Sequence, residues 1–221
     1  MPRTIFERLL HELQDDVLAM GSMVEKAIYR SMDALKNRDL ELAEQVINDD
    51  ILINRKRFEI EEKSIQLIAT QQPMASDLRI IIAVLNIIVD LERIGDHAEG
   101  VAKIVIMIGD QPPLKPLIDL PRMAEKTGSM LRRCLEAFIN RDAEAARKIC
   151  AEDDDVDALY NQVFRELVSF MSEDPRTITR ATRLLWVAHN LERSADRVTN
   201  IGERVVYVVT GKLEDLGISK Y

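Results

Sequence analysis

Between residues 4 and 36 apolar positions recur every three to four residues, the spacing that lines one face of an α-helix, so this stretch predicts a long amphipathic helix. Asp39 then offers a side-chain oxygen to the unpaired N–H groups of a new helix, which the pattern carries to about Thr70. Pro73 lacks the N–H that a first turn leaves unused, and it marks the start of a third helix running to Ile108. There the periodicity stops. The segment GDQPPLKPLIDLP, residues 109–121, holds four prolines and reads as a connector. Three more helical stretches follow, at about 120–140, 142–172 and 175–211, the last opened by Asp174 as cap and Pro175 at the first helical position. The third helix of each set carries the same seam. Val84, Ile87, Leu91, Ile94, Ala98, Val101 and Val105 keep an alternating three-and-four spacing, and Leu184, Val187, Leu191, Ser194, Val198, Ile201 and Val205 repeat it.

The two sets of helices also match residue by residue. NRDLELAEQVINDDILIN (37–54) aligns with NRDAEAARKICAEDDDVD (140–157) at an offset of 103, with six identities in eighteen. Pro73 pairs with Pro175 at an offset of 102, and LERIGDHAEG (91–100) with LERSADRVTN (191–200) at 100, so the order of matches never breaks. An internal duplication follows. The expected fold is all-α: two tandem antiparallel three-helix bundles, spanning 1–109 and 120–212, with a connector at 110–119 and a tail at 213–221.

Composition sharpens this picture. Aromatics make up 5% of a chain that is 47% hydrophobic, so Leu, Ile, Val and Ala must carry the core, as suits helices. A net charge of −8 argues against a general grip on nucleic acid, which needs cations to displace counterions from phosphates. Cys134 and Cys150 fit neither a disulfide framework nor a CxxC site and are expected as buried thiols. The opening MPRTIFERLLHELQDD has charges where a secretory signal needs an apolar core, and the run IIIAVLNIIV is about half a membrane span, so the expected place is the cytoplasm, with membranes reached only through partners.

The repeated LER segments raise a chemical question. Glu92 and Asp96 lie four apart on a face away from the seam, as do Glu192 and Asp196. No Lys or Arg stands three or four residues from either glutamate, and each aspartate has one, Arg93 or Arg193. The second helices carry companions: Asp50 with Asn54, and their equivalents Asp153 with Asp157. If second and third helices lie side by side, four oxygen-bearing side chains converge in each half. Uncompensated carboxylates brought together call for a cation, and oxygen ligands without Cys or paired His suit hard or borderline ions; two solvated acidic faces are the plainer alternative. His97 has Arg197 as its repeat counterpart, and His11 and His189 stand alone, which favours structural or surface roles. The run EDDDVD (152–157) lacks the glycine and terminal glutamate of an EF-hand. With no ExxH pair, Walker A motif, GxGxxG, GxSxG or HExxH, catalysis has little to stand on.

The duplicated halves, with LERIGDHA in the first, NLERSADR in the second and QPMASDLR entering the third helix, resemble the PhoU family over nearly the whole chain. The resemblance implies a two-repeat α bundle binding metal through E(D)xxxD pairs. The matching positions are Asp50, Asn54, Glu92, Asp96, Asp153, Asp157, Glu192 and Asp196. Iron is the first expectation for the ion, with zinc, manganese, magnesium, calcium and nickel as alternatives. Asn54 departs from the acidic pattern, so weaker occupancy is expected in the first half. The resemblance further implies a homodimer and negative regulation of the phosphate-starvation response, as an adaptor between PstB, the ATPase subunit of the phosphate ABC transporter, and the sensor histidine kinase PhoR. A carboxylate-bridged metalloenzyme and a metal-buffering protein are the competing functions.

Overall fold

In the computed structural model residues 3–216 are described; the expected tail therefore lies partly outside them, from 217 onward. Seven α-helices and one 3-10 turn account for the regular structure, and among the described residues there is no strand. Helix α1 spans Arg3–Asn37, α2 Leu40–Gln71 and α3 Ser76–Ile108. Asp39 caps α2 as expected, its carboxylate accepting the Leu42 N–H at 2.9 Å. Pro73 does not open α3. The chain turns through Gln72 and Ala75, both at φ +49°, and the helix starts three residues after the proline.

The second half comprises α4 (Asp119–Asn140), α5 (Ala143–Cys150), α6 (Asp153–Glu173) and α7 (Ile178–Thr210). The single helix expected over 142–172 is broken at Ala151 and Glu152. Two forces explain the break. Arg133 of α4 grips Glu152 with two hydrogen bonds, at 2.7 and 2.6 Å, and Asp153, Asp154 and Asp155 then occupy the first turn of α6, where the positive end of the helix dipole favours them. The equivalent stretch of α2 holds only Asp49 and Asp50, and it stays continuous. Pro175 likewise opens a 3-10 turn, Pro175–Thr177, capped by Asp174 through the Arg176 N–H, rather than α7 itself.

Both expected seams are buried throughout. Within each half the helices pack on one another, but the most extensive contact in the molecule joins the halves: α3 against α7. These two run antiparallel about a pseudo-two-fold axis. Asp90 of α3 accepts from Asn200 of α7 at 3.1 Å and faces Arg197 at 3.5 Å. The repeat-related pair has Asn190 of α7 3.1 Å from His97 of α3 and pressed against Gly100, where a Cβ would stand 2.9 Å from the Asn190 Oδ1. Helices α1 and α4 make a second antiparallel contact, tied by Arg132 to Glu25 at 2.9 Å. In consequence α2 and α6 sit outside, each forming a groove with the third helix of its own half. No helix among the described residues is long and apolar enough to cross a membrane.

Candidate metal centre: two acidic grooves of unequal character

In the first half the α2–α3 approach is tight at Gly95, where a Cβ would come within 3.2 Å of Ile53 and 3.4 Å of the Asp50 carboxylate. Asp50 faces Glu99, Asp96 and Glu92; burial, reinforced by those charges, raises its pKa above the ordinary carboxylate value. Each of these acids already has a partner. Asn54 donates to Asp50 at 2.7 Å, Arg93 reaches Asp96 at 3.1 Å, and Lys103 reaches Glu99 at 2.6 Å. Glu92 has no Lys or Arg three or four residues away on its own helix, yet Arg57 crosses from α2 to within 3.4 Å of it and the adjacent Arg93 stands 3.8 Å away. This groove is largely neutralised by the chain itself.

The second groove is different. Asp153 and Asp157 on α6 meet Glu192 and Asp196 on α7 in a cavity of about 840 Å³. Asp196 pairs with Arg193 at 2.6 Å. One oxygen of Asp153 and one of Glu192 are buried with no hydrogen-bond partner, and the nearest candidate for Glu192, His189, is 3.6 Å away. Burial, with repulsion from Asp157, Asp196 and Glu192, raises the Asp153 pKa to about 7; burial, then Asp196, does the same for Glu192. Removing a carboxylate from water without a donor or counter-ion is unfavourable, and the group responds by holding its proton.

Three further groups enter these sites that the sequence reading passed over. Glu99 continues the Glu92–Asp96 row one turn on, and Glu203 extends the Glu192–Asp196 row at the same helical phase. The signal was present as an i, i+4, i+7 and i, i+4, i+11 spacing. Cys150, at the end of α5, lines the second groove, and no spacing rule points to it. Both cysteines are buried, as expected, with burial pushing their thiol pKa values up. His97 is structural, packed between the repeats with its pKa lowered mainly by burial.

The donor set of the second groove fits a hard or borderline cation in kind: oxygen ligands, two of them buried and unsatisfied. The separations are wider than ligation requires. Among the described residues no three His, Cys, Asp or Glu side chains are gathered closely enough to hold one ion.

Comparison with known proteins places this architecture. The PhoU domain matches twice, over residues 17–105 and 120–205, once for each bundle. The chain belongs to the PhoU family. A PhoU homologue of Clostridium acetobutylicum, named as a phosphate-specific transport system accessory protein, is 43% identical over 98% of this chain and 99% of its own. The crystal structure of the phosphate transport system regulatory protein PhoU from Streptococcus pneumoniae superimposes with a TM-score of 0.89 at 35% identity, covering 95% of this chain and 99% of that one. PhoU from Pseudomonas aeruginosa gives the same score at 36% identity, over 94% and 100%. The two PhoU matches coincide with the two three-helix sets, so the duplication read from offsets near one hundred is a duplication of PhoU domains.

Proposed function

We propose that this chain is an accessory regulator of a phosphate-specific transport system, acting as a non-catalytic adaptor between the transporter ATPase PstB and the sensor kinase PhoR, with a cation held in its second groove. The regulatory role rests on likeness along nearly the full chain to proteins named for that task. The cation rests on one observation: the buried, partnerless oxygens of Asp153 and Glu192 face a common cavity.

In this reading a divalent or trivalent ion draws the four carboxylates of α6 and α7 together and replaces the protons that Asp153 and Glu192 otherwise hold. Iron is the first choice and manganese the nearest substitute. The first groove, with Arg57, Arg93 and Lys103 on its acids, takes the ion weakly or not at all. The ion holds α6 on α7 and so sets the shape that a partner meets, and the working form is a homodimer.

Metal analysis after equilibrium dialysis tests the ion. Asp153→Asn with Glu192→Gln should abolish tight binding, and Asp50→Asn should leave it nearly unchanged; equal loss in both would sink the assignment to the second groove. Pull-down with PstB and with the cytoplasmic part of PhoR tests the adaptor, and failure to bind either overturns it. Steady hydrolysis of phosphate esters by the purified protein, lost in Glu192→Gln, would establish the enzyme reading instead.

A further inference from the structure

Beyond the end of α7 the chain does not leave the body of the protein. Gly211, at φ +72°, ends the helix with its N–H on the Tyr207 carbonyl and turns the chain back, the Arg79 guanidinium lying over it. Residues Leu213 to Leu216 then form one wall of the cavity that holds Asp153 and Glu192. Two contacts hold them there. Arg147 of α5 donates to both oxygens of Glu214, from Nη2 at 3.0 and 2.9 Å and from Nε at 3.3 Å, and the Leu216 N–H donates to Glu203 of α7 at 3.0 Å, with the Leu216 side chain against the core. The segment thus spans from α5 to α7 across the groove, which Cys150 also lines.

Among the described residues nothing equivalent exists in the first half. There α3 ends at Gly109 and runs into the connector, and the residue matching Arg147 at the repeat offset of 103 is Glu44, which could not bind an acid. The closed position also has an electrostatic cost. Glu214 and Asp215 add two carboxylates to a cavity whose six other acids outnumber Arg193, Arg197 and Arg204, so attraction to Arg147 must offset repulsion from that acidic surplus.

We propose that Gly211–Leu216 is a strap that closes the second acidic groove, latched by Arg147 on Glu214, and that it controls entry and exit of the cation there. The gating part rests on the cation reading above; the strap itself does not. A cation in the groove relieves the repulsion that works against closure, so cation and closed strap favour each other, and by reciprocity the strap slows the cation's release. Cys150 lines the groove, 4% exposed with its sulfur against Gly202 and the Thr199 carbonyl of α7, and opening the strap should raise its access to reagent. Cys134, fully buried on α4 behind Cys150 and not lining the groove, reports on general loosening.

The test uses metal-free full chain, Arg147→Ala, Glu214→Ala and a chain ended after Lys212, each treated with N-ethylmaleimide and followed by mass spectrometry at each cysteine. Cys150 should be labelled roughly tenfold faster in all three variants than in the unaltered protein, with Cys134 unchanged. Wild-type labelling rates at Cys150 in every variant, or Cys134 accelerating in step with it, overturn the strap. The same proteins loaded with Mn²⁺ and mixed with EDTA test the gate: release should be faster in the variants by a similar factor. Equal release rates overturn the gating. If the unaltered protein holds no Mn²⁺, iron or other ion, the cation reading and the gate fall together, while the cysteine labelling still decides the strap.

Discussion

Asp153 and Glu192 show how position along a helix changes the chemistry of a common residue. Their pKa values stand at about 7 against ordinary values of 3.8 and 4.5, so between about pH 4 and pH 7 the folded protein binds protons that the unfolded chain has released. Stability of the metal-free protein therefore falls as pH rises through that window, and the penalty is complete above it. Asp153→Asn removes the charge and should stabilise the metal-free protein by about 1 kcal/mol at pH 8, well below the raw shift because water reaches the groove. At pH 4 the gain should vanish. Urea denaturation at the two pH values measures both; a gain at pH 4 equal to that at pH 8 would refute the argument. Asp90 presents the opposite case. Burial also raises its pKa, but Asn200 and Arg197 both donate to its Oδ1 across the inter-repeat seam. Asp90→Ala leaves those half-buried donors without that acceptor and should cost about 1 kcal/mol in the same assay. The acidic positions were readable as spacing along each helix. Which of them would be satisfied was not, because Arg57 reaches Glu92 from another helix and the Glu192 oxygen is left alone only by the fold.

At the level of elements the two halves diverge where a few residues differ. Gly202 stands where the first repeat has Ala102, and a Cβ there would lie 2.3 Å from the Cys150 sulfur. Only glycine lets α5 lie this close on α7, since the sulfur is one bond from its own backbone-bound carbon and can yield only by turning about that bond. Gly202→Ala should destabilise by about 1–2 kcal/mol, overpacking outweighing the helix propensity that alanine adds. Adding Cys150→Ala removes the obstructing atom and should recover part of the loss, giving a coupling term in a double-mutant cycle. Independent, additive effects would contradict the close contact. Helix positions are well marked by periodicity and by the caps at Asp39 and Asp174, which both accept a backbone N–H. The break at Ala151 and Glu152 escaped, since an apolar period continues across it and the cause, Arg133 on α4, lies nineteen residues away in sequence. Pro73 and Pro175 were read as helix starts, but each is followed by a turn before the α-helix begins.

For the whole molecule, the α3–α7 seam makes two bundles into one body. Because the largest contact lies between the repeats, neither half buries its third helix alone, and thermal unfolding should be a single cooperative transition. Calorimetric and van't Hoff enthalpies that agree would bear this out; two resolved transitions would show that the halves are independent. The sequence by itself determined that the chain is all-α, that it is duplicated, and which residues face the cores, because helical periodicity and repeat offsets are local properties of the chain. The tertiary structure decided the rest: that α3 and α7 cross antiparallel, that one acidic groove has a partner for each acid while the other leaves an oxygen of Asp153 and of Glu192 without a hydrogen bond, and that residues after α7 fold back over the latter. Charge balance at a site is a sum over neighbours from every packed element, and that sum exists only once the helices have been brought together.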